Sequence, residues 1–200
     1  MIYIIVTCCI NNKVGYKSNF YRQKRYITSI TKLLELTNNL PVKVILVENN
    51  GKRDTYLDNF NCDICYTDNN NIECFHKGEN ELLDIKEVIN KYNIDDNDTI
   101  IKLTGRYKLL NSNFINLVIK GNYDAYVKFF NVRTKQFNYD ACILGLFAIK
   151  CKYLKEFKYT LLKGYDFEFA DYVKGIHNLF EVKQLHLECC FAENLSIQIL

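Results

Sequence analysis

The sequence has little proline and glycine, a small net charge and no long apolar run, and each shortage excludes a class of protein. One proline and eight glycines in 200 residues leave no room for a flexible linker, so we expect a single domain over 1–200. A net charge of +3 is too small to indicate a nucleic-acid-binding protein. No apolar run reaches the roughly 20 residues that a membrane-spanning helix needs. The sequence therefore predicts a soluble globular protein.

The amino terminus shows no secretory signal. Met1–Ile10 lacks the basic segment with which such signals begin, and its apolar run is typical of a β-strand. The nine cysteines are odd in number and lie mainly in apolar runs, with adjacent pairs at Cys8–Cys9 and Cys189–Cys190. This pattern favours reduced, buried thiols over a disulfide framework. We therefore expect a cytoplasmic location and no transmembrane segment.

Apolar runs and amphipathic stretches alternate along the chain. Strands are predicted at 2–10, 42–47, 62–67, 99–103, 124–130, 142–150 and 182–190. Helices are predicted at 22–38, 53–60, 81–92, 113–120, 153–159 and 166–174. Regular alternation of β and α in the first half is typical of a parallel sheet with helices on both faces. The sequence therefore predicts an α/β fold, three layers α/β/α, with a mostly parallel central sheet and a mixed C-terminal part.

Polar residues follow each of the first four predicted strands, at the edge of a parallel sheet where ligands bind. They are Thr7, Glu48, Asn49, Asp68, Lys102, Thr104, Gly105 and Arg106. Carboxylate and amide groups can bind a base and a ribose, whereas Lys and Arg can bind a diphosphate. Lys77 and Gly78 precede a predicted helix, whose free N–H groups favour an anion. This edge is therefore predicted to bind a nucleotide or a nucleotide sugar.

Two clusters resemble metal sites. Asp95–Asp98 precede the fourth predicted strand and so lie at the opposite edge of the sheet, where a solvated turn is the better interpretation. Cys62 and Cys65, with Cys74 and His76 nearby, resemble a zinc site. Residues three apart on a strand point to opposite faces, so zinc is the minority alternative.

Candidates for acid–base chemistry lie late in the chain. Asp166 and Glu168 open the last predicted helix, after a glycine. Acidic residues in a first helical turn also compensate the helix dipole, and this alternative stays open. His186 lies inside an apolar predicted strand, where a core histidine is the more frequent outcome.

Five segments occur in a characteristic order: IYIIVTC, VKVILVENNG, CDICYTDN, KGENELLDI and TIIKLTGRY. This order resembles small glycosyltransferases of the GT-A fold, similar to those of large DNA viruses and bacterial polysaccharide clusters. The later CILGLFAIK with its acidic helix resembles their acceptor half. The resemblance implies a donor-binding half over about 1–110 and an acceptor half over about 111–200. It implies transfer of a hexose or deoxyhexose from a nucleotide-sugar donor to a hydroxyl of a glycan or glycoconjugate.

The resemblance also implies roles for individual residues. Those predicted to contact the donor nucleotide are Thr7, Glu48, Asn49 and Asp68, with Lys77 and Gly78 near the diphosphate. Many GT-A enzymes hold a divalent cation with a D-x-D motif after the fourth strand, where this chain reads KLTGR. Because of this departure, the use of Mn²⁺ or Mg²⁺ stays open, and no residue is predicted to bind a metal ion.

Without a metal ion, the positive charge at this position would have to come from side chains of the protein. Lys102 and Arg106 are the predicted stabilisers of the leaving diphosphate. For an inverting reaction the predicted base is Glu168, then Asp166. A nucleotidyltransferase and a non-catalytic GT-A-like binding module remain as alternatives.

Overall fold

A computed structural model of the chain describes residues 1–11, 13, 19–72, 77–192 and 194–200, and only the backbone of Asn19 and Lys77. Its strands are β1 (Ile2–Cys8), β2 (Lys43–Glu48), β3 (Asp63–Tyr66), β4 (Thr99–Thr104), β5 (Lys108–Leu109), β6 (Ala125–Val127), β7 (Leu146–Lys150), β8 (Leu179–Glu181), β9 (Leu187–Cys190) and β10 (Ile197–Ile199). Its α-helices are α1 (Asn19–Thr37), α2 (Lys77–Lys91), α3 (Asn113–Lys120), α4 (Cys151–Glu156) and α5 (Tyr165–Lys174). Two short 3₁₀-helices lie at Tyr56–Asn59 and Asn69–Asn71.

The central sheet has seven strands in the order β3-β2-β1-β4-β7-β6-β8. The first four of these run parallel to one another, and β7 then pairs antiparallel to β4. Every residue of β4 is buried, as its apolar and β-branched residues predict for a strand covered on both faces, and Lys102 is buried with them. The predicted α/β fold with a mostly parallel sheet is confirmed.

Helices cover both faces of this sheet, which gives three layers. One face, here called the α1 face, packs against α1 and α3 through residues such as Tyr26 and Phe114. The other, here called the α2 face, packs against α2, α4 and α5 through residues such as Val88 and Phe169. Because side chains alternate along a strand, Ile4 faces α1 while Ile5 faces α2.

A second, antiparallel sheet has the order β10-β9-β5. The prediction of one strand over 182–190 is wrong, because only 187–190 form β9. His186 adopts a left-handed backbone (φ 50°), which cannot continue a strand, and it is not a core histidine. The strand predicted from Cys142 begins only at Leu146.

The amino edge of the sheet carries the acidic turn of Asp95–Asp98. Asp98 binds the amino group of Met1, and Asp96 pairs with Lys155 at 2.5 Å. The turn is thus held by hydrogen bonds and ion pairs at the edge opposite the polar strand ends. None of the described helices combines the length and the apolar character required to span a bilayer.

Candidate functional site

The carboxyl ends of β1, β2, β3 and β4 meet at one edge of the sheet. The Gly105 N–H donates to the Thr7 carbonyl oxygen over 2.9 Å, which joins the exits of β4 and β1. Alternation along each strand divides the polar side chains between the two faces. Thr7, Asn49 and Lys102 lie towards α2, whereas Glu48 lies towards α1. The predicted pocket residues are therefore divided between the two faces of the sheet.

Lys102 is buried, only 1% exposed, and its ammonium group is fully engaged. Its Nζ lies 2.6 Å from Glu81 Oε2, 2.6 Å from Thr104 Oγ1 and 2.7 Å from the Leu144 carbonyl oxygen. Burial lowers the pKa of Lys102, and Glu81 opposes that shift. Lys102 thus ties β4 to α2 and to the segment before β7. The geometry does not support its predicted contact with a diphosphate.

Arg106 follows β4 and points to the α1 face. Its Nη1 donates to the hydroxyl oxygen of Tyr26 at 3.3 Å, and its Nε donates to the Cys190 carbonyl oxygen at 3.4 Å. The Tyr26 hydroxyl oxygen also accepts from the Cys9 N–H at 3.0 Å. Burial raises the pKa of Tyr26 to about 12, with Arg106 opposing, so the hydroxyl stays protonated near neutral pH.

Arg22, one turn earlier on α1, also lies against Tyr26. Its Nη2 donates to the Cys9 carbonyl oxygen at 2.9 Å, and its guanidinium carbon lies 5.8 Å from the centre of the Tyr26 ring. Two guanidinium groups therefore contact one tyrosine at the exits of β1 and β4. We call Arg22 and Arg106 the arginine pair.

Within the described residues, no carboxylate forms an ion pair with either member of the arginine pair; the arginines that do have such partners are Arg25 and Arg53. Arg22 is 2% exposed, yet its Nε and Nη1 have no hydrogen-bond partner in that part of the chain. A buried, uncompensated charge costs several kcal/mol. An anion with several oxygens, such as a phosphate, would compensate both groups.

Sequence reasoning missed Arg22, although a signal was present. Arg22, Tyr26, Ile30 and Leu33 follow the i, i+4, i+8, i+11 spacing of one helical stripe. The last three belong to the core, so the position of Arg22 predicts a buried charge. A charge on the buried stripe of a helix needs a partner, so this spacing marks Arg22 as a candidate for binding an anion.

The two glycines predicted to let a phosphate approach are packed against aromatic rings instead. A Cβ at Gly105 would lie 2.8 Å from Tyr26 Cε1. One at Gly78 would lie 2.6 Å from Tyr165 Cδ1, at the start of α5. Gly78 lies within α2, which begins four residues earlier than predicted. The side chain of Lys77, and Cys74 and His76 of the zinc alternative, lie outside the described residues.

Glu48 is buried, and both of its carboxylate oxygens are used. Oε2 accepts from the Ile10 N–H at 3.0 Å, while Oε1 accepts from Asn50 and lies 3.4 Å from Arg53 Nη2. Burial raises the pKa of Glu48, and the hydrogen bonds from Asn50 and Ile10 oppose that shift. Glu48 therefore holds the segment after β1 against β2. By contrast, Asp68 is exposed at the end of β3 and remains open to a ligand, with Asn71 as its neighbour.

Asp84, which sequence reasoning also missed, organises the ends of β2 and β3 from α2. It is fully buried and accepts from Thr67 Oγ1 at 2.7 Å, Asn69 Nδ2 at 2.8 Å and Asn49 Nδ2 at 3.0 Å. The Asn49 amide N–H that was predicted to meet the donor is therefore held by Asp84. Burial raises the pKa of Asp84 to about 6, with those hydrogen bonds opposing.

This raised pKa predicts a pH dependence of stability. Between the ordinary pKa near 3.9 and about 6, the folded state binds a proton that the unfolded state has released. The free energy of unfolding should therefore fall as pH rises through this window, by about 3 kcal/mol for this group. Urea denaturation at pH 4 to 7 measures this effect as the difference in free energy of unfolding between the wild type and Asp84→Asn. A difference that does not change with pH would contradict the assignment.

A divalent cation would need oxygen ligands at the exit of β4. Thr104, Gly105 and Arg106 supply no carboxylate there, and the nearby Glu81 is paired with Lys102. The part of the chain that the structure describes holds no group of three or more histidine, cysteine or acidic side chains arranged for a metal ion. The donor set at this position therefore does not fit a metal site of the D-x-D kind.

Glu168 holds a loop rather than facing a crevice. Its two carboxylate oxygens accept from the backbone N–H groups of Thr160 (2.6 Å), Leu162 (2.8 Å) and Lys163 (3.0 Å), and from the Thr160 hydroxyl (2.9 Å). Burial opposes the shift, but these hydrogen bonds keep the pKa of Glu168 below its usual value. A carboxylate with four donors and a low proton affinity is a poor base. Asp166, half-buried beside Gly164, is the candidate that remains.

The variant Glu168→Gln distinguishes a structural role of Glu168 in the loop from a role as the catalytic base. An amide nitrogen would face backbone N–H donors, so we expect the free energy of unfolding to fall by about 1–2 kcal/mol. Turnover of the donor should stay within about tenfold of wild type, since loss of a true base costs about 10²–10⁴ in rate. Urea denaturation and nucleotide release measure the two effects. A loss of turnover beyond a hundredfold in a stably folded variant would restore Glu168 as the base.

No protein-family model matches the sequence, and no curated protein matches it. Its fold, however, is similar to several solved structures. A protein of Desulfovibrio desulfuricans G20 assigned as a nucleotide-diphospho-sugar transferase has a TM-score of 0.54 and 10% identity, over 90% of this chain and 79% of that one. An active-site mutant of LgtC has a TM-score of 0.55 and 7% identity, over 91% and 72%. For 4-diphosphocytidyl-2C-methyl-D-erythritol synthase the TM-score is 0.50 at 12% identity, over 92% and 90%.

These similarities establish the fold. The chain has the mixed α/β architecture of nucleotide-diphospho-sugar transferases, so the predicted GT-A-like fold class is confirmed. At such low identity the reaction has to be argued from this chain's own residues.

Proposed function

We propose that this GT-A-like protein is a glycosyltransferase that moves a sugar from a nucleotide-sugar donor to a hydroxyl of a glycan or glycoconjugate acceptor. The observation that carries the proposal is the arginine pair, in which the buried Arg22 and the half-buried Arg106 have no carboxylate partner in the described residues. They lie where β1 and β4 end, the edge at which α/β sheets bind ligands. A nucleoside diphosphate supplies the charge and the oxygens that they lack.

In the proposed reaction the bond between the anomeric carbon and the diphosphate oxygen breaks, and a bond to the acceptor oxygen forms. Negative charge grows on the diphosphate as it leaves, and Arg22 and Arg106 stabilise it. Tyr26 and the backbone oxygens of Cys9 and Cys190 hold the two guanidinium groups in place. Such preorganised donors lose no energy to reorientation during the reaction.

The acceptor proton needs a base if the reaction inverts configuration. Asp166 is our proposed base, because both oxygens of Glu168 are already engaged. Asp166 lies in the first turn of α5, and the neighbouring Tyr165 ring lies against Gly78 of α2. Exposed Asp68, at the end of β3, is the proposed contact for the nucleoside.

A nucleotidyltransferase is the second candidate, because 4-diphosphocytidyl-2C-methyl-D-erythritol synthase shares this fold. Release of free nucleotide from UDP- and GDP-sugars, with and without EDTA, tests the first proposal. Release of pyrophosphate from a nucleoside triphosphate with a sugar phosphate tests the second. We expect nucleotide release that survives EDTA. Nucleotide binding without either release would indicate a binding module, and no binding at all would overturn the donor site.

A further inference from the structure

The strand β10 is an outer strand of the second sheet, and its backbone is paired on one side only. The Leu200 N–H donates to the Leu187 carbonyl oxygen of β9 at 2.9 Å, and the Leu187 N–H donates to the Leu200 carbonyl oxygen at 3.0 Å. Hydrogen-bonded residues alternate along an antiparallel strand, so Gln198 also faces β9, whereas the N–H and C=O groups of Ile197 and Ile199 point away from it. In the described part of the chain no backbone group meets them.

The side chains of the same two residues are exposed to solvent. Ile197 is 57% exposed and Ile199 is 66% exposed. Because side chains two apart on a strand lie on the same face, the two isoleucines form one apolar surface along the unpaired edge. An unpaired edge with apolar side chains is a template for another strand, and monomeric proteins protect such edges with charged residues or proline.

This protection is present on the other outer strands. Within the described residues these are β3, β5 and β8, and each contains a charged residue, Asp63, Lys108 and Glu181 respectively. By contrast, residues 196–200 contain no charged side chain and no proline. The edge that lacks a charge is therefore the edge that exposes two isoleucines.

We propose that β10 pairs with β10 of a second copy of this chain, in an antiparallel dimer whose two-fold axis passes at Gln198. In this register Ile197 lies opposite Ile199 of the second copy, and Ile199 lies opposite Ile197 of the second copy. Both pairs are of the hydrogen-bonded kind, so the outward N–H and C=O groups of both copies gain partners. The paired isoleucine side chains lie on one face, with Cβ atoms about 5 Å apart.

The pattern of β10 favours a second copy as the partner. Its sequence Ile-Gln-Ile is symmetric about Gln198, so the edge is complementary to itself, as a two-fold interface requires. No like charges meet across the axis, because β10 carries none and Glu188, opposite Ile199 on β9, is paired with Arg25 at 2.5 Å. Pairing joins the two three-stranded sheets into one and uses both β10 edges, so the assembly ends at two copies. Such a small interface predicts a dimer that dissociates on dilution.

Sedimentation velocity of the whole chain over about a hundredfold range of concentration tests the dimer. We expect the mass to rise from one copy to two and to stop there. Ile199→Lys removes an apolar side chain from each copy, so it should weaken association about a hundredfold. Phe137→Lys alters a side chain that is 65% exposed outside β10, and it should leave association unchanged.

Amide hydrogen exchange, followed by NMR, tests the position of the interface. The Ile197 and Ile199 N–H groups should exchange about tenfold more slowly where about nine in ten molecules are dimeric. The Leu200 N–H, which is already bonded to β9, should change less.

A protein that stays monomeric over the whole range would overturn the inference, as would assemblies larger than a dimer. A dimer that survives Ile199→Lys, or one in which the Ile197 and Ile199 amides exchange as fast as in the monomer, would place the interface elsewhere and would also overturn it. The inference is independent of the proposed function, because β10 contributes no residue to the arginine pair.

Discussion

Arg106→Ala should lower kcat/KM for the nucleotide-sugar donor about 10²–10³-fold. Removing one preorganised donor to developing negative charge costs this much in other enzymes. Arg106 meets the requirement, since the Tyr26 hydroxyl and the Cys190 carbonyl oxygen fix its guanidinium group at the exit of β4. Initial rates of nucleotide release over a range of donor concentrations measure the effect. Because the leaving group gains charge mainly in the transition state, kcat should fall more than KM rises.

Two controls separate chemistry from folding. Arg106→Lys keeps the charge but loses the planar fork, so it should recover only part of the rate. Arg133→Ala removes an exposed arginine and should leave kcat/KM unchanged. If Arg106→Ala loses secondary structure, the kcat/KM of Arg106→Lys alone tests the proposed role. An Arg106→Lys enzyme with full activity, or an Arg106→Ala enzyme within threefold of wild type, would contradict the proposed role.

Arg22 extends this test to the ligand-free protein. Its side chain is buried with two unpartnered nitrogens among the described residues, so Arg22→Met should not lower the free energy of unfolding. UDP or GDP should raise the melting temperature of the wild type and have much less effect on this variant. Destabilisation of the free protein by Arg22→Met would show that the contacts of this guanidinium group with Cys9 and Tyr26 outweigh the cost of burying its charge.

Glu81→Ala should lower the free energy of unfolding by about 3 kcal/mol. Lys102 is almost fully buried, and Glu81 is the carboxylate that pairs with it, at 2.6 Å. Removing one partner of a buried ion pair leaves an uncompensated charge, which costs about 3–5 kcal/mol when both partners are buried. The value at the lower end applies here because the Glu81 side chain is 29% exposed. Urea denaturation at constant pH measures the change.

Lys102→Met and the double variant complete a thermodynamic cycle. Lys102→Met leaves Glu81 able to reach water, so we expect a smaller loss, about 1–2 kcal/mol. In the double variant the two losses should not add, with a coupling of about 1–3 kcal/mol. Additive losses would show that Lys102 and Glu81 do not form the buried pair. A loss of nucleotide binding by Lys102→Met without a loss of stability would instead support the direct contact expected from the sequence.

Strands and helices with strong periodicity were predictable, and very short ones were not. Ile2–Cys8 is a nearly continuous apolar run, and Thr99–Thr104 is apolar or β-branched except at Lys102; both patterns are typical of strands buried on both faces, and both strands belong to the parallel sheet. β5, β8 and β10 have only two or three residues, too few for a period to be seen. His186 could not be placed from sequence, because a left-handed residue depends on its local contacts.

By itself the sequence determined the α/β class, the parallel direction of the first four strands and the edge at which their polar residues gather. These follow from hydrophobic periodicity and from the rule that parallel strands end at a common edge. Only the tertiary structure decided which of those residues meet. Because side chains alternate along a strand, Lys102 forms a buried pair with Glu81 on one face, whereas Glu48 lies on the opposite face. The packing of α1 on the sheet brings Arg22 to the same tyrosine, Tyr26, that Arg106 contacts. Such partners are distant in sequence, because side-chain contacts across a sheet are set by packing between elements and not by spacing along the chain.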